Sequence, residues 1–367
     1  MKPSKKDLAF MQMAFSLAEQ AKGQTSPNPC VGAVVVKDDR VVGWGYHQEA
    51  GQPHAEIIAL EKAGAMVKGA TLYLTLEPCV HWGKTPPCVD RLVSSGLKRV
   101  VIASYDPNPL VYRKGVARLK SSGIEVIAGF FQEKHHRLNE KYEKFVTSRI
   151  PFVCLKAALS LDGKIAAASG DSKWISSDES RYFAQNLRAE YDAILVGINT
   201  VLKDDPELTV RLDGWKKKKW NRIILDPNLR LPLKARLLKN PTAGQVIVFC
   251  SQDAPKSREN KLRQKQAEII RLRTRGGLIN LEEVLRELGF RDISSVLVEG
   301  GTRVLTSFLE NQLADKVLFF ISPKLIGGKK APGLFEGKGV ASVQQAFRLK
   351  KISHFVLKND IIIEGYF

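Results

Sequence analysis

Residues 77–88 read Glu-Pro-Cys-Val-His-Trp-Gly-Lys-Thr-Pro-Pro-Cys, and residues 54–56, upstream of them, read His-Ala-Glu. One imidazole (His54) and two thiols (Cys79 and Cys88) form a ligand set of the kind that binds zinc. Three protein ligands leave one tetrahedral position for water, as a catalytic zinc site requires. Cys88 begins a predicted helix, whose N-terminal dipole favours a thiolate. Glu56 has the character of a group that carries protons to and from a zinc-bound water.

This order of residues matches the zinc deaminase pattern H-x-E…P-C-x-x-C, in which the glutamate is the acid and base and not a ligand. The second cysteine departs from the pattern, because it lies nine positions after the first. His81 between the two cysteines is left out of the ligand set, since a fourth protein ligand would close the site to water. The prediction is a catalytic zinc site with an acid–base glutamate.

Strand-like and helical segments alternate along both halves of the chain, which predicts an α/β fold in each. In the first half, helices are expected over 8–20, after His54, after Cys88, over 115–121 and over 134–147, with strands at 31–36, 71–76, 100–103 and 125–128. In the second half, strands are expected at 152–158, 193–197, 222–225, 245–249, 296–299, 316–321, 355–357 and 361–363. Pro151 follows a charged helix and disfavours helix at the residue before it, so the predicted domains are 1–148 and 149–367.

Composition excludes several classes of protein. The chain is 44% hydrophobic and 26% charged, which is typical of a globular protein, and it has neither a signal-peptide pattern nor an apolar run of membrane-spanning length. Five dispersed cysteines do not suit a disulfide framework. We therefore expect a cytoplasmic protein that makes no membrane contact. A net charge of +19 indicates anionic partners, although the Lys216–Lys219 run is more typical of a solvated loop.

Further motifs of the first half resemble one known family, the bifunctional deaminase and reductase of riboflavin biosynthesis. They are 26–32 (Ser-Pro-Asn-Pro-Cys-Val-Gly), 45–47 (Gly-Tyr-His), the long cysteine spacing and 106–109 (Asp-Pro-Asn-Pro). The resemblance implies a cytidine-deaminase-like three-layer domain with one Zn²⁺. It also implies that a pyrimidine ribose phosphate is contacted by Asn28, His47, Lys84, Asp106 and Asn108. Where the family has a small Gly-Lys/Arg-Gly turn, this chain has Tyr112-Arg113-Lys114-Gly115.

The second half resembles the reductase part of the same family, which is similar in fold to dihydrofolate reductase. The motifs are 156–164, 170–176, 187–197, 200–211 and 298–302. No Gly-x-Gly-x-x-Gly follows the first strand of either half, so a Rossmann site is not indicated. Instead, Glu299-Gly300-Gly301 between a strand and a helix offers free N–H groups to phosphates.

The resemblance assigns roles to individual residues of the second half. The NADPH set is Ala158, Trp174, Thr200, Asp204 and the turn and helix Gly301, Thr302, Arg303, Val304, Leu305, Thr306 and Ser307. The substrate set is Ser172, Arg188, Leu208, Arg211 and Glu299, in which the two guanidinium groups suit a phosphate. Lys156 and Glu299 are the candidates for polarising the ring-opened sugar or relaying a proton.

The implied activity has two consecutive steps: hydrolytic deamination of 2,5-diamino-6-ribosylamino-4(3H)-pyrimidinone 5′-phosphate, then NADPH-dependent reduction of the ribosyl group to ribityl. A homo-oligomer that does not bind nucleic acid is expected. Two alternatives remain. A nucleic-acid (tRNA) base deaminase with an accessory binding domain is compatible with the charge and the zinc motif, but there is no basic and aromatic interleaving typical of RNA binding. A zinc-stabilised binding protein without activity is the other.

Overall fold

Two units, Met1–Arg149 and Ile150–Phe367, divide the chain one residue away from the boundary predicted between 148 and 149. The structure is a computed structural model, and it describes residues 2–82, 86–212, 215 and 219–367. The predicted Lys84 contact and most of the lysine run, Lys216–Lys218, lie outside the described residues.

The described part of the first unit contains one mixed sheet of order β2-β1-β3-β4-β5, in which β1 is antiparallel to both neighbours and β3, β4 and β5 are parallel. Its strands are β1 (Gly32–Lys37), β2 (Arg40–Tyr46), β3 (Thr71–Leu74), β4 (Arg99–Ile102) and β5 (Glu125–Ala128). Its helices are α1 (Lys5–Glu19), α2 (Ala55–Ala63), α3 (Cys88–Ser94), α4 (Lys114–Ser121) and α5 (Gln132–Ser148).

Helices cover both faces of this sheet. Side chains of α2, α3 and α4 pack on one face in a cluster that includes Ala59, Leu92 and Leu119. Side chains of α1 and α5 pack on the other face, where Phe15 lies against β-strand residues such as Val34. A central strand covered on both sides is apolar on both sides, as β1 is. The arrangement is the predicted three-layer α/β/α fold.

Strand β2 was not predicted, because Gly43 and Gly45 interrupt its pattern and glycine disfavours strands. The structure gives the reason for these glycines. A Cβ atom at Gly43 would lie 2.2 Å from the carbonyl oxygen of Ala59, and one at Gly45 would lie 2.7 Å from that of Ala55. A residue with a side chain at either position would collide with α2, so the two glycines allow this helix to pack closely on β2.

The second unit has a larger sheet, of order β10-β9-β8-β7-β13-β6-β14-β16-β15 among the described residues. Neighbouring strands from β10 to β14 are parallel, and β16 and β15 extend the sheet in antiparallel fashion. The strands are β6 (Phe152–Ser160), β7 (Ala193–Gly197), β8 (Asn221–Leu225), β9 (Val246–Ser251), β10 (Ala267–Leu272), β13 (Ser295–Val298), β14 (Lys316–Ser322), β15 (Lys350–Leu357) and β16 (Asp360–Tyr366), with a hairpin of β11 (Thr274–Arg275) and β12 (Leu278–Ile279).

The helices of the second unit are α6 (Asp178–Ala189), α7 (Ile198–Asp204), α8 (Arg236–Lys239), α9 (Lys256–Gln264), α10 (Leu281–Phe290) and α11 (Thr302–Glu310). This unit is the predicted second α/β domain, but β10 and the β11–β12 hairpin were missed. Strand β10 lies at the edge of the sheet, and several of its side chains are partly exposed, so it lacks the continuous apolar run of the central strands. Among the described residues, no helix combines the length and the apolar character that crossing a bilayer requires.

Candidate active sites

Three side chains from three elements meet in the first unit at the predicted metal site. His54 is the residue before α2, Cys79 follows β3, and Cys88 is the first residue of α3. The Nδ1 atom of His54 lies 3.1 Å from Sγ of Cys88 and 3.9 Å from Sγ of Cys79. All three candidate donor atoms lie within 4.8 Å of one another.

The spacing of these atoms suits zinc. Zn–N bonds of about 2.0 Å and Zn–S bonds of about 2.3 Å at tetrahedral angles separate nitrogen from sulfur by roughly 3.5 Å, and the two observed separations lie on either side of that value. The Cys88 side chain donates to the sulfur of Cys79, and His54 is close, so the pKa of Cys79 is lowered while that of its partner Cys88 is raised. A thiolate is the form of cysteine that binds metal. The residues present therefore fit a zinc ion.

Glu56 lies in the first turn of α2 beside this ligand set, and only 3% of its surface is exposed. Burial raises the pKa of its carboxyl group, and the nearby His54 acts in the opposite direction. A carboxyl group whose pKa is raised by burial holds a proton more readily than an exposed one, which suits a group that accepts a proton and returns it. This is the character that the proposed role of Glu56 requires.

Asn28 and His47 form a hydrogen-bonded pair next to the metal ligands. Nδ2 of Asn28 lies 3.1 Å from Nε2 of His47, and Nδ1 of His47 lies 3.2 Å from the carbonyl oxygen of Pro53. The His47 and His54 rings meet edge to face at 5.1 Å. Burial lowers the pKa of His47, so its neutral form is favoured. With Asn28 donating and Pro53 accepting, Nδ1 carries the proton.

Asp106 and Asn108 lie in the loop after β4. Asp106 is buried and accepts from the hydroxyl group of Tyr142 at 2.8 Å and from the backbone N–H of Asn108 at 2.9 Å. Burial raises the pKa of Asp106 to about 6. Tyr142 was not predicted, since it lies in a charged helix whose sequence does not indicate which side chains turn inward. The structure thus brings a phenol into contact with a predicted substrate residue.

In the second unit, the centre of the predicted substrate set is an ion pair. Arg188 on α6 donates from Nε to Glu299 at 2.8 Å and from Nη2 at 2.5 Å, while Nη1 lies 3.4 Å from the carbonyl oxygen of Thr209. Burial acts to raise the pKa of Glu299, but the charge and hydrogen bonds of Arg188 outweigh it, so this pKa is lowered. Burial lowers the pKa of Lys156, against the opposing effect of Glu299.

The other predicted substrate residues differ in exposure. Leu208 is buried in a core cluster, with a φ of 53°, so its side chain packs inward. Arg211 is exposed, and its N–H donates to Gln185. Ser172 is half-buried. The long contact of Arg188 with the carbonyl oxygen of Thr209 brings the backbone of the 208–211 segment to the ion pair.

The predicted coenzyme turn lies where β13 ends and α11 begins. Gly301 precedes α11 with a φ of 77°, and a Cβ atom at Gly300 would lie 3.2 Å from Oγ1 of Thr200. At these two glycines no side chain stands beside the backbone N–H groups, which lie next to the positive end of helix α11, as a bound pyrophosphate requires. The turn fits a dinucleotide phosphate.

The remaining coenzyme residues are distributed around this turn. Leu305 is 2% exposed and packs in the core, and the Thr306 hydroxyl group accepts from the N–H of Glu336 at 2.8 Å. Both side chains are therefore engaged within the protein, and coenzyme contacts from α11 would come from the first turn of this helix. Trp174 is 62% exposed, with the Arg181 guanidinium 4.3 Å from its ring centroid. The structure places the others on β6 (Ala158), at the end of α7 (Asp204) and in α11 (Thr302, Arg303, Val304 and Ser307).

Comparison with known proteins matches one family model to each unit. Residues 4–104 match the family model described as the cytidine and deoxycytidylate deaminase zinc-binding region, and residues 151–363 match the RibD C-terminal domain. The riboflavin biosynthesis protein RibD of Aquifex aeolicus is 45% identical over 358 residues, which cover 97% of each chain. Among solved structures, RibD of Acinetobacter baumannii (form 1) is 38% identical, with a TM-score of 0.88 and 99% of each chain covered.

A third similar protein has a solved structure from Thermotoga maritima and is named a diaminohydroxyphosphoribosylaminopyrimidine deaminase/5-amino-6-(5-phosphoribosylamino)uracil reductase. It is 40% identical, with a TM-score of 0.85 and 98% of each chain covered.

Fold, site and relatives together define a zinc-dependent deaminase joined to a reductase on one chain. The chain belongs to the RibD family of riboflavin biosynthesis proteins. It is a bifunctional enzyme that acts on a small-molecule substrate, and its cofactors are Zn²⁺ and NADPH. The predictions of fold, activity and cofactors are confirmed, and the nucleic-acid base deaminase alternative is not favoured.

Proposed function

We propose that residues 1–148 deaminate a diaminopyrimidine ribose phosphate and that residues 149–367 reduce the ribosyl group of the product to ribityl. The name of the similar Thermotoga maritima protein describes these two reactions. The observation that carries the proposal is that each unit holds its own cluster of candidate catalytic groups. One contains the His54, Cys79 and Cys88 donor atoms, and the other contains the Arg188–Glu299 pair.

In the first unit, His54, Cys79 and Cys88 would hold the metal, which would lower the pKa of a water molecule to about 7. Glu56 takes a proton from the attacking water onto its carboxylate as a C–O bond forms at the pyrimidine carbon. It then returns the proton to the amino group, whose C–N bond breaks so that ammonia leaves. The N–H at Nδ1 of His47 donates to the carbonyl oxygen of Pro53, and this bond fixes the ring. The hydrogen-bonded Asn28 and His47 side chains orient the pyrimidine ring.

Three further residues of the first unit are assigned to the ribose phosphate. Asp106 and Asn108 contribute polar groups from one loop, and Lys84 contributes a positive charge. Tyr142 keeps Asp106 in place through its hydroxyl group.

In the second unit, NADPH would supply, when bound, a hydride for C1′ of the ring-opened sugar. The Gly301 turn and the first turn of α11 bind its phosphates, with Ala158, Trp174, Thr200 and Asp204 around them. Glu299 is held by Arg188 and is positioned for the sugar hydroxyl groups. Lys156 polarises the sugar or relays a proton, and burial, which lowers the pKa of its amine, suits either role. Ser172, Leu208 and Arg211 complete the substrate site.

The direct test is to incubate zinc-loaded protein with the diaminopyrimidine phosphate, with and without NADPH. Ammonia should be released in both samples, and NADPH absorbance should fall only after deamination has produced the second substrate. If the protein releases no ammonia and oxidises no NADPH, the assignment of these two reactions is wrong. Adding the deaminated intermediate directly tests the second unit independently of the first.

A cytoplasmic location and a homo-oligomer are part of the same proposal. None of the five cysteines, which all lie among the described residues, forms a disulfide bond, and this suits a reducing compartment. Strand β15 lies at the edge of its sheet with Ile352 62% and Val356 65% exposed. An exposed apolar edge strand can pair with another chain, and exposed apolar patches mark protein–protein contacts. Sedimentation of the purified protein tests whether it is an oligomer. A gel-shift assay with tRNA tests nucleic-acid binding, and we expect no salt-sensitive shift.

A further inference from the structure

We propose that Glu77 is a positioning residue of the deaminase, which fixes the substrate-contacting loop 106–116 against the segment that carries the metal ligand Cys79. The inference rests on the proposed function of the first unit and assigns a role to a residue outside its ligand and substrate sets. Glu77 follows β3 and is two positions before Cys79, and only 3% of its surface is exposed.

The Glu77 carboxylate accepts three backbone hydrogen bonds, all from this loop. Oε2 accepts from the N–H of Asp106 at 3.2 Å and from that of Arg113 at 2.9 Å, and Oε1 accepts from that of Val116 at 3.0 Å. The N–H of Glu77 itself donates to the carbonyl oxygen of Ser104 at 3.0 Å. One buried side chain therefore determines where the loop begins, turns and enters helix α4.

A carboxylate is the side chain that this site requires. All three donors are backbone N–H groups, and an ionised carboxylate only accepts, whereas an amide would present N–H groups of its own to at least one of them. The Arg113 donor has a φ of 62°, a backbone conformation that residues other than glycine rarely adopt. Its bond to Glu77 therefore helps to hold the loop in a conformation that the Arg113 residue disfavours by itself.

Close packing supports the same contact from the other side. A Cβ atom at Gly115 would lie 2.5 Å from the carbonyl oxygen of Pro78 and 3.1 Å from Cγ of Glu77. The first turn of α4 thus lies directly on the Glu77–Pro78 segment with no room for a side chain. The loop and the metal-bearing segment are held by hydrogen bonds and by shape at the same place.

The loop that Glu77 holds carries two of the proposed substrate contacts. Asp106 donates its N–H to Glu77, and its carboxylate accepts from the N–H of Asn108 at 2.9 Å. A shift of this loop would move both side chains relative to the metal ligands. Because a displacement of about 1 Å can lower a rate on the order of a hundredfold, Glu77 acts on the reaction without contacting the substrate.

The test compares Glu77→Gln with a matched control, Glu61→Gln, which makes the same change at an exposed position of α2. For Glu77→Gln, we expect the deaminase kcat/KM to fall by roughly tenfold to a hundredfold, with most of the loss in KM. Zinc stoichiometry and the reductase rate on added intermediate should stay at the wild-type level. Glu61→Gln should match the wild type in the deaminase kcat/KM and KM, in zinc stoichiometry and in the reductase rate.

Two results would overturn the role of Glu77: an unchanged deaminase KM, or a loss of zinc in proportion to the loss of activity, which would make Glu77 a support of the metal segment alone. A second variant, Gly115→Ala, displaces α4 while the Glu77 carboxylate is retained. It should raise the deaminase KM with zinc still bound, and an unchanged KM would also overturn the proposal. If the wild-type protein itself releases no ammonia, the proposed function has failed, and not only the role of Glu77.

Discussion

Arg188 and Glu299, 111 positions apart in the chain, form a two-pronged ion pair in which Nε and Nη2 of the guanidinium donate to separate carboxylate oxygens. Their side chains are 18% and 6% exposed. This pair limits how Arg188 can meet a phosphate, because the edge with Nε and Nη2 is occupied by Glu299. A phosphate would approach the Nη1 side, where the contact with Thr209 is long, at 3.4 Å.

Arg188→Ala should impair the reductase more than the loss of one phosphate contact would. The change leaves the buried Glu299 carboxylate without its cation, which typically costs about 3–5 kcal/mol. We expect the unfolding free energy of the second unit to fall by about that amount, and we expect the reductase kcat/KM on added intermediate to fall by at least about a hundredfold. Arg286→Ala, at an exposed ion pair with Glu282, is the control and should leave both quantities unchanged. Wild-type reductase kinetics in Arg188→Ala would contradict the assignment.

Glu56→Gln should abolish ammonia release while zinc stays bound. The amide keeps the size of the side chain but cannot carry a proton, and general acid–base groups contribute about 10²–10⁴-fold to a rate. Ammonia assays, metal analysis and the reductase rate on added intermediate, measured on one preparation, check this prediction. Substantial ammonia release by this variant would remove Glu56 from the mechanism. A wild-type protein with bound zinc and no activity would instead support the non-enzymatic alternative.

Removal of zinc by a chelator should separate the two activities. Deamination should stop and should return when zinc is restored, because His54, Cys79 and Cys88 provide the candidate ligand set. Reduction of added intermediate should continue, since the residues assigned to it lie in the other unit. Cys88→Ala should reproduce the chelated state without being rescued by zinc. A parallel loss of reductase activity would contradict the independence of the two reactions.

Gly301→Ala should weaken NADPH binding. The residue has a φ of 77°, where alanine is strained by about 1–2 kcal/mol, so relaxation of the turn should move its N–H groups and raise the KM for NADPH roughly tenfold. Gly276→Ala is a matched control, because Gly276 has a φ of 58° in the β11–β12 hairpin and no atom lies within 4 Å of its Cβ position. It should lose similar stability and keep the wild-type KM. Equal KM values in both variants would contradict the placement of the coenzyme.

Asp7→Asn should destabilise the first unit in a pH-dependent way. Asp7 accepts from Arg99 at 2.7 and 3.0 Å and from Tyr73 at 2.8 Å. Burial acts to raise the pKa of Asp7, but its hydrogen bonds, led by that from Arg99, outweigh burial, so the pKa lies below its ordinary value of 3.8. The stabilisation is therefore complete above that pH and is lost as the pH falls below it.

At neutral pH, we expect Asp7→Asn to lower the free energy of unfolding of the first unit by about 3 kcal/mol. Urea unfolding measures this value, and the transition of the first unit is the one in which zinc is released. The difference from the wild type should shrink as the pH is lowered below the ordinary value of 3.8. Lys6→Ala removes an exposed pair with Asp39 and is the control, with an expected change below about 1 kcal/mol. A cost for Asp7→Asn that does not change with pH would show that packing and not charge is responsible.

The sequence alone determined what depends on local pattern and on residue type. The alternation of strands and helices predicted both α/β units, and the type and order of His54, Glu56, Cys79 and Cys88 predicted zinc chemistry, because few other side chains bind that metal. Strand β2 was missed because its glycines are required by the close packing of α2, which the local sequence does not reveal.

Only the tertiary structure decided which groups, far apart in the sequence, are joined by hydrogen bonds or ion pairs. The three donors to Glu77 lie 29 to 39 positions away from it, Tyr142 lies 36 from Asp106, and Arg188 lies 111 from Glu299. Helical and strand periodicity fixes only which side of an element a residue occupies. Whether a buried carboxylate meets a cation, a phenol or three backbone N–H groups depends on how the elements pack, and that difference sets its role.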